Sequence, residues 1–324
     1  MSEQDWQPTA TLAVLRKRAE ILQQVRYFFL QRDVLEIETP ALSGAANTDP
    51  NIDSFMTRYE GPGRSETGEL YLHTSPEFPM KRLLAAGYGS VYQLCKVFRD
   101  GEAGQFHNPE FTMLEWYRAG FNHHDLMDEV EALVREVLEH KQEVRRITYQ
   151  QAFVETIGID PLTASTAQLQ DYCKQHGPGD VVGLDNDADA WLGLLMDQVV
   201  VPALGKAAFF IHDYPASQAS LARISDQDNR VAERFELFVK GVELANGFHE
   251  LTDENEQRRR FDADNVKRHQ VNKKTMPLDE HFLQALNKGL PDCSGVALGI
   301  DRLVMLKTAQ THIDDVLTFP VSRA

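Results

Sequence analysis

Residues 98–117 read FRDGEAGQFHNPEFTMLEWY, and this stretch decides the fold because it ends in a strand with a distinctive face. An apolar run leads to Arg99, and a polar loop with two glycines separates this arginine from the strand. Side chains of a strand alternate between its two faces, so Phe111, Glu115 and Tyr117 share one face. That face carries an aromatic ring, a carboxylate and a phenol. An ordinary half-buried strand with Glu115 toward solvent would show the same pattern, so other segments must distinguish the two interpretations.

The composition is typical of a soluble globular protein with an ample core. The 324 residues are 42% hydrophobic and 25% charged. No apolar segment approaches the roughly 18 residues that span a bilayer, and the N-terminus does not resemble a signal peptide. The three cysteines have no CxxC spacing, which argues against a disulfide framework or a zinc site. We therefore expect a cytoplasmic protein with no membrane partner.

The charge balance argues against a dedicated nucleic-acid-binding protein. The 33 basic and 49 acidic residues give a formal net charge of -16. Affinity for nucleic acid depends largely on positive charge near the phosphates. The basic cluster at residues 258–260 lies among interleaved acids, which is typical of a solvated helix face.

The order of the predicted elements favours an α+β fold. Helices are predicted at 11–32, 76–86, 125–140 and 279–290, and strands at 34–38, 55–59, 70–73, 92–99 and 208–214. Strands and helices do not alternate strictly, so we expect an antiparallel sheet flanked by helices and not a doubly wound parallel sheet. Residues from about 147 to 205 are predicted to form a helical insertion without evident chemistry, broken by a Gly/Pro/Asp-rich segment at 177–189.

Residues 234–250, RFELFVKGVELANGFHE, have the pattern of a hairpin. If the loop is Val239-Lys240, Glu236 and Glu243 lie directly opposite each other, and a slip of two residues makes them diagonal neighbours. Like charges placed opposite destabilise a sheet, whereas a Mg²⁺ ion would remove that penalty. Two solvent-facing glutamates are the alternative interpretation.

Three further residues of this hairpin share one parity. Asn246, Phe248 and Glu250 place an amide, an aromatic ring and a carboxylate in register. Such a set makes a suitable pocket wall for an ammonium group.

Two helix starts complete the set of candidate segments. Ser75-Pro76-Glu77 is predicted to open a helix with Ser75 as N-cap and Pro76 at the first helical position. At the C-terminal end, SGVALGIDRLVMLK is a strand that passes through Gly299 into a helix with Arg302 in its first turn. A helix N-terminus favours anions, although a glycine before a helix is often only a turn.

These segments together supply carboxylates and arginines, and they lack the motifs of a serine hydrolase, a zinc protease or a P-loop. Such a set suits a polycationic small molecule and a metal-complexed polyphosphate, with catalysis by positioning and charge stabilisation.

The same residues resemble the class II aminoacyl-tRNA synthetases, most closely the lysyl type. The motifs that carry the resemblance are Ile37-Glu38-Thr39-Pro40, Phe98-Arg99 with His107-Asn108-Pro109-Glu110-Phe111-Thr112, Gly299-Ile300-Asp301-Arg302, and the lysine-type signature Asn246-Gly247-Phe248-His249-Glu250. Within that family the chain is similar to the truncated paralogues that attach β-lysine to a lysine of elongation factor P. The resemblance covers nearly the whole chain.

The resemblance implies a role for each matching residue. Arg99 would hold the substrate carboxylate and the α-phosphate, and Arg302 the γ-phosphate, both in catalytic roles. The amino acid, β-lysine or lysine, would be bound by Ser75, Pro76, Glu77, Glu115, Tyr117, Asn246, Phe248, Glu250 and Ala297. ATP would be bound by Arg99, Asp100, Gly101, Glu102, His107, Asn108, Phe111, Glu243, Leu244, Gly299 and Arg302, and Mg²⁺ by Glu236 and Glu243.

Four positions depart from the lysyl-type pattern. Gly101 stands where the second motif usually has a glutamate, with Glu102 one residue further, and Phe106 replaces a common arginine. Ser75 stands where the lysyl enzymes typically have alanine, and Ala297 where they have glycine. These last two differences favour the elongation factor P branch.

The resemblance further implies a homodimer whose residues 1–324 form one catalytic domain without the anticodon-binding domain of the lysyl enzymes. The expected reaction forms an aminoacyl-adenylate from ATP and transfers the aminoacyl group to elongation factor P, and tRNA is not expected as a partner. Two alternatives remain open: an enzyme that charges tRNA or releases free lysyl-adenylate, and a catalytically silent regulatory module. The intact Arg99, Glu243, Glu250 and Arg302 argue against the silent module.

Overall fold

The computed structural model describes residues 6–63, 67–177, 181, 184 and 187–324. The predicted break at 177–189 therefore lies partly outside the described residues. The chain divides into two compact units: unit 1 comprises Met1–Lys141 and Thr252–Ala324, and unit 2 comprises Gln142–Leu251. Assignment of residues 1–324 to one catalytic domain stays a prediction.

Unit 1 contains most of the predicted motifs. Its helices are α1 (Leu12–Leu30), α2 (Glu77–Ala85), α3 (His123–Leu138), α8 (Glu254–Gln270), α9 (Glu280–Gly289) and α10 (Ile300–Thr308), and its strands are β1 (Leu35–Glu36), β2 (Leu42–Ser43), β3 (Met56–Arg58), β4 (Glu69–Leu72), β5 (Val91–Phe98), β6 (Glu110–Ala119) and β11 (Cys293–Gly299). Strands β1, β5, β6 and β11 are neighbours in that order, and β2, β4 and β3 form a small separate sheet.

The strand predicted from the opening stretch is the centre of this sheet. Strand β6 pairs antiparallel with β5 on one side and with β11 on the other. Helix α1 begins where predicted, because the Thr11 hydroxyl accepts a hydrogen bond from the amide of Val14. The helix buries Phe29, whose ring stacks at 4.4 Å on Tyr92 of β5. The core of unit 1 thus fixes the position of the β6 face.

Unit 2 contains the hairpin and the helices predicted as an insertion. Its helices are α4 (Tyr149–Ile157), α5 (Thr166–His176), α6 (Ala188–Leu195) and α7 (Val201–Leu204), with a π-helical turn at Met196–Val200, and its strands are β7 (Arg145–Thr148), β8 (Phe209–Pro215), β9 (Val231–Val239) and β10 (Val242–His249). Strands β10, β9, β8 and β7 are neighbours in that order. The predicted α+β class with a mainly antiparallel sheet and flanking helices is confirmed, with parallel pairing only for β1–β5 and β7–β8 among the described strands.

Two local predictions are corrected by the structure. The N-cap of α2 is Pro76 and not Ser75, because the helix begins at Glu77. The Ser75 hydroxyl accepts from the Glu77 amide and donates to another residue. The hairpin turn is Lys240-Gly241 and not Val239-Lys240, since Val239 pairs with Val242. Both turn residues have positive φ, 55° and 80°, as a type I′ turn requires. Among the described residues, no helix has both the length and the apolar character needed to cross a membrane.

Candidate functional site

Glu115 of β6 lies buried at the centre of the candidate site in unit 1, with 2% of its surface exposed. The Tyr117 hydroxyl donates to its Oε1 atom at 2.7 Å, and the Ser75 hydroxyl donates to its Oε2 atom at 2.7 Å. The structure therefore brings together three predicted substrate-binding residues. The two hydroxyls hold the carboxylate in one orientation, so a bound cation would meet a pre-arranged partner.

The electrostatic environment of Glu115 opposes its ionisation when no cation is bound. Burial is the main cause that raises the pKa of Glu115 to about 8, and the negative charge of Glu77 raises it further. Hydrogen bonds from Tyr117 and Ser75 and the charge of Lys81 act in the opposite direction. An ammonium group placed next to Glu115 would favour the charged form. The site is thus suited to a cationic ligand.

Lys81 is a buried cation beside this cluster that the sequence analysis did not assign. Its side chain is 1% exposed, and its ammonium group lies 2.5 Å from Oε1 of Glu77, one helical turn earlier in α2. The same ammonium lies 6.0 Å from the ring centre of Tyr117 and 5.7 Å from that of Phe282. The spacing of Glu77 and Lys81 by four residues was the signal available in the sequence, although such pairs are usually exposed.

A cavity of about 100 Å³ opens beside this cluster within unit 1. Ser75 and Glu77 form part of its wall, together with Phe78, Arg82 and Asp279. Two residues with predicted substrate contacts therefore border open space.

Small residues of β11 lie opposite the functional face of β6. Ala297 pairs with Glu115, and Gly295 pairs with Tyr117. Because directly paired residues lie on the same face of a sheet, the space beside Glu115 is limited on this side only by a methyl group. This position agrees with the predicted role of Ala297 near the substrate.

Arg99 lies over the ring of Phe111, with 5.2 Å from its guanidinium carbon to the ring centre. Its Nη1 atom is 3.7 Å from Oε1 of Glu102, and its Nε atom donates to the carbonyl of Thr74 at 3.4 Å. The structure thus groups three residues predicted to bind ATP. Gly101 next to them has a φ of 80°, a conformation that favours glycine and accounts for this departure from the family pattern.

Arg302 lies in the first turn of α10, after Gly299 as the N-cap residue. Its Nη2 atom is 2.8 Å from Nε2 of His107, which joins the second and third predicted motifs. Asn108, in contrast, uses its amide group for backbone contacts: it donates to the carbonyl of Glu110 and accepts from the amide of Val321. Asn108 thus links the start of β6 to the C-terminal segment.

Asp301 is a second residue that the sequence analysis did not assign. This carboxylate is 1% exposed and accepts from Arg18 of α1 at 2.6 Å and from the amide of Thr112 at 2.6 Å. Arg18 also donates to the Thr112 hydroxyl at 2.8 Å. The ion pair holds α10, which carries Arg302, against β6. No local pattern could indicate it, because Arg18 and Asp301 are 283 residues apart.

The candidate site of unit 2 centres on Glu236 of β9. Arg234 donates to its Oε1 atom at 2.6 Å, and the amide nitrogen of Asn246 donates to the same atom at 3.1 Å. The Arg234 guanidinium lies 5.9 Å from the ring centre of Phe248. The predicted residues Glu236, Asn246 and Phe248 therefore meet around an arginine that was not predicted.

The hairpin register makes Glu236 and Glu243 diagonal neighbours on one face, which is the second of the two arrangements derived from the sequence. Glu236 pairs with Asn246, and Glu243 pairs with Phe238. Leu244 is an extra residue, a β-bulge between these two pairs, and it shifts the alternation of side chains along β10. Because of the bulge, Glu243 and Asn246 face the same side as Glu236.

Burial raises the pKa of Glu236 to about 7, Arg234 lowers it, and the charge of Glu243 raises it again. Glu243 also raises the pKa of Asp197 in the π-helical turn, in addition to burial. Glu250, at the end of β10, is 2% exposed and forms a bridge with Ala222. Unit 2 thus concentrates carboxylates whose mutual repulsion a cation would relieve.

The comparisons with known proteins identify the family of the chain. Residues 5–323 match the family described as tRNA synthetases class II (D, K and N). The chain belongs to this family. Its relatives include proteins named elongation factor P–(R)-β-lysine ligase: that of Vibrio atlanticus is 51% identical, over 98% of this chain and 99% of the relative. That of Pseudoalteromonas translucida is 52% identical over both full chains, and that of Salmonella arizonae is 51% identical over 98% of each.

Proposed function

We propose that this enzyme activates β-lysine or lysine as an aminoacyl-adenylate at the expense of ATP and transfers it to a lysine side chain of elongation factor P. The relatives are identical to this chain at about half of all positions over nearly the full length. Their names support elongation factor P as the acceptor. The observation in the structure that carries the proposal is Glu115, a buried carboxylate held by two hydroxyls as an ammonium site. A diamino acid supplies the ammonium group that this carboxylate needs.

In the first step, a carboxylate oxygen of the amino acid attacks the α-phosphorus of ATP, and the bond from that phosphorus to the bridging oxygen breaks to release pyrophosphate. Arg99 is suited to stabilise the charge on the attacking carboxylate and the α-phosphate, because it is held in place by Phe111 and Glu102. In the second step, the amine of the acceptor attacks the acyl carbon, AMP leaves, and the amine loses a proton.

In unit 1, we assign ATP binding to Arg99, Arg302 and the residues around them. Arg302 would hold the γ-phosphate, with His107 as its partner when the phosphate is absent. Phe111 would stack on adenine, and Gly299 would offer backbone groups at the N-terminus of α10. Asp100, Gly101, Glu102 and Asn108 would shape the loop around the nucleotide. Ser75, Pro76, Glu77, Glu115, Tyr117 and Ala297 would bind the amino acid.

In unit 2, we assign Mg²⁺ to Glu236 and Glu243, and substrate contacts to Asn246, Phe248 and Glu250. The donor set fits a hard divalent cation, since the charge of Glu243 raises the pKa of Glu236 and two carboxylates share one face. When bound, Mg²⁺ neutralises charge on the triphosphate. Leu244, the bulge residue, would offer its backbone to the nucleotide. Arg234 keeps Glu236 oriented by direct hydrogen bonding.

The subunit arrangement and location are part of the proposal. Apolar side chains near β1 are exposed, including Tyr27 at 56%, Leu30 at 74% and Leu35 at 53%, which supports a homodimer formed through this surface.

Cys95, Cys173 and Cys293 are free thiols, which supports a reducing cytosol. We do not expect tRNA as acceptor, given the net charge of -16.

The experiment that tests the proposal compares lysine and both enantiomers of β-lysine in ATP–pyrophosphate exchange. Transfer is then measured with purified elongation factor P and with tRNA as acceptors. The proposal predicts exchange with a diamino acid and transfer to the protein. Exchange followed by charging of tRNA would favour the tRNA synthetase alternative, and absence of exchange with every diamino acid would favour the silent module.

A further inference from the structure

Gln93 lies beside the candidate ammonium site, although no motif includes it. It belongs to β5 and pairs directly with Glu115 of β6, which in turn pairs with Ala297 of β11. The three side chains therefore form a row across one face of the sheet, with neighbouring Cβ atoms about 5 Å apart. Gln93 is 3% exposed. A fully buried amide thus lies next to the buried carboxylate that the proposed function assigns to the substrate ammonium.

The two ends of the Gln93 amide differ in their contacts. Burial raises the pKa of the Cys95 thiol, two residues further along the same strand, and a hydrogen bond with the Gln93 side chain lowers it. Only the nitrogen end of an amide can donate. The carbonyl oxygen, Oε1, has no hydrogen-bond partner among the described residues. A buried acceptor without a donor costs free energy, and such groups in native proteins call for a partner.

Once a bound cation has ionised Glu115, the described neighbours of Gln93 do not supply that donor. The carboxylate of Glu115 only accepts when ionised, and the hydroxyls of Ser75 and Tyr117 both donate to Glu115. Two acceptors therefore lie side by side on adjacent strands. An ammonium group has three N–H donors and no acceptor, so it can bond to Glu115 and to Gln93 at the same time. A neutral methyl group in its place would leave Gln93 without a donor and the charge of Glu115 without a cation.

We propose that Oε1 of Gln93 accepts a hydrogen bond from the distal ammonium group of the diamino acid, so that Gln93 helps to select diamino over monoamino acids. This inference rests on the proposed function, since it concerns the substrate of the same site. It adds a residue that selects by hydrogen bonding, whereas Glu115 selects by charge. A site built to bond an N–H group rejects an analogue without it because its buried polar groups are then left unpaired.

The test compares Gln93→Leu and Gln93→Glu with the unaltered enzyme in ATP–pyrophosphate exchange. Leucine removes the acceptor at similar volume, and glutamate keeps an acceptor at this position. Substrates are β-lysine and 3-aminohexanoic acid, which has the same carbon chain without the distal amine. We expect Gln93→Leu to raise the KM for β-lysine about tenfold or more and to leave the KM for ATP within about twofold. The preference for β-lysine over 3-aminohexanoic acid should fall by about the same factor.

Gln93→Glu should keep most of the preference for the diamino acid. Leu94→Met, a substitution on the opposite face of β5, is the matched control and should leave the preference unchanged. Thermal unfolding shows whether each variant is folded. If the Gln93→Leu enzyme is folded but less stable, its preference for β-lysine over 3-aminohexanoic acid is the measurement that counts, because this ratio does not depend on the amount of folded enzyme.

The inference is overturned if Gln93→Leu retains the preference for β-lysine, or if Gln93→Glu loses it as fully as Gln93→Leu does. Either result would mean that Gln93 serves only packing within the sheet. If Gln93→Leu does not fold, the result for Gln93→Glu decides alone. Failure of the unaltered enzyme to use any diamino acid would instead contradict the proposed function, so the two outcomes are distinct.

Discussion

The hydroxyl of Tyr117 donates a hydrogen bond of 2.7 Å to the carboxylate of Glu115, two residues earlier on the same face of β6. The alternation of side chains along a strand places both groups on one side, and burial of Glu115 makes the bond strong. Burial raises the pKa of Glu115 to about 8, and this hydrogen bond acts in the opposite direction because it favours the ionised carboxylate. The affinity for a cationic substrate therefore depends on Tyr117 even where the hydroxyl does not touch that substrate.

We expect Tyr117→Phe to raise the KM for the diamino acid about 10-fold or more while the KM for ATP stays nearly constant. A hydrogen bond to a charged group contributes about 1.5–3 kcal/mol, and its loss disfavours the ionised form of Glu115. Pyrophosphate exchange at saturating ATP measures the effect.

Tyr88→Phe is the matched control for this substitution, because Tyr88 is 61% exposed. A KM for the diamino acid that is unchanged in Tyr117→Phe would contradict the assigned role of this hydroxyl.

We expect binding of the diamino acid to strengthen as the pH rises from about 6 to 8. The pKa of Glu115 is raised to about 8 by burial and by Glu77, so the protonated, neutral form predominates below that pH. An ammonium group binds the ionised form, which releases a proton from Glu115. Calorimetric titration in buffers of different ionisation enthalpy measures both affinity and proton release.

The same pKa shift predicts the pH dependence of stability. Glu115 retains a proton in the folded enzyme that the unfolded chain loses above its ordinary pKa of 4.5. The stabilisation that Glu115 contributes is therefore fully present below about pH 4.5 and is lost as the pH rises through about 8. Urea unfolding should show a smaller loss of stability between pH 5 and 8.5 in Glu115→Gln than in the unaltered enzyme. Equal losses in the two proteins would argue against a raised pKa.

Lys81 should affect both stability and the pH profile of substrate binding. Lys81→Met leaves the carboxylate of Glu77 without its buried cation, which costs about 3–5 kcal/mol when one partner of such a pair is removed. It also removes a charge that lowers the pKa of Glu115, so the pH at which binding becomes half-maximal should move upward.

Lys81→Arg tests whether the effect is due to charge, since it should restore part of the pH profile. Chemical unfolding and the pH dependence of kcat/KM for the diamino acid are the two measurements. A purely structural role would lower stability in Lys81→Met and leave the pH profile where it was.

The ion pair between Arg18 and Asp301 should be required for the stability of unit 1. Removing the guanidinium in Arg18→Met leaves Asp301 buried without its cation, and we expect a loss of about 3–5 kcal/mol in the free energy of unfolding. The double variant Arg18→Met/Asp301→Asn should recover part of that loss, because no buried charge remains. Additive losses from the two substitutions would show that the residues do not interact.

The sequence predicted the features that depend on residues close together in the chain. The alternation in β6 placed Glu115 and Tyr117 on one face, and Thr11 indicated the start of α1. The candidate residues were also identified from the sequence, because the motifs that carry them are short and local. The assignment of Ser75 as the N-cap of α2 was wrong, since the helix begins one residue later than predicted. The Ser75 hydroxyl instead donates to a carboxylate that is distant in the sequence.

The hairpin shows where local reasoning ends. Its two strands were evident from the alternation of apolar residues, but the position of the turn and the register beyond the bulge were not. One extra residue at Leu244 reverses the alternation, and a bulge is set by packing against neighbouring strands and has no strong composition signal. The partner of Glu236 could therefore be found only in the folded structure.

The sequence by itself determined the fold class, the family and the motif residues of the sites, because periodicity, capping and motif spacing are properties of short segments. Only the tertiary structure decided which charges compensate one another. Ser75 reaches Glu115 across 40 residues, Arg18 reaches Asp301 across 283, and Gln93 becomes a neighbour of Glu115 through pairing of β5 with β6. Burial of these groups, which sets their pKa values and their need for partners, arises only when distant segments pack together.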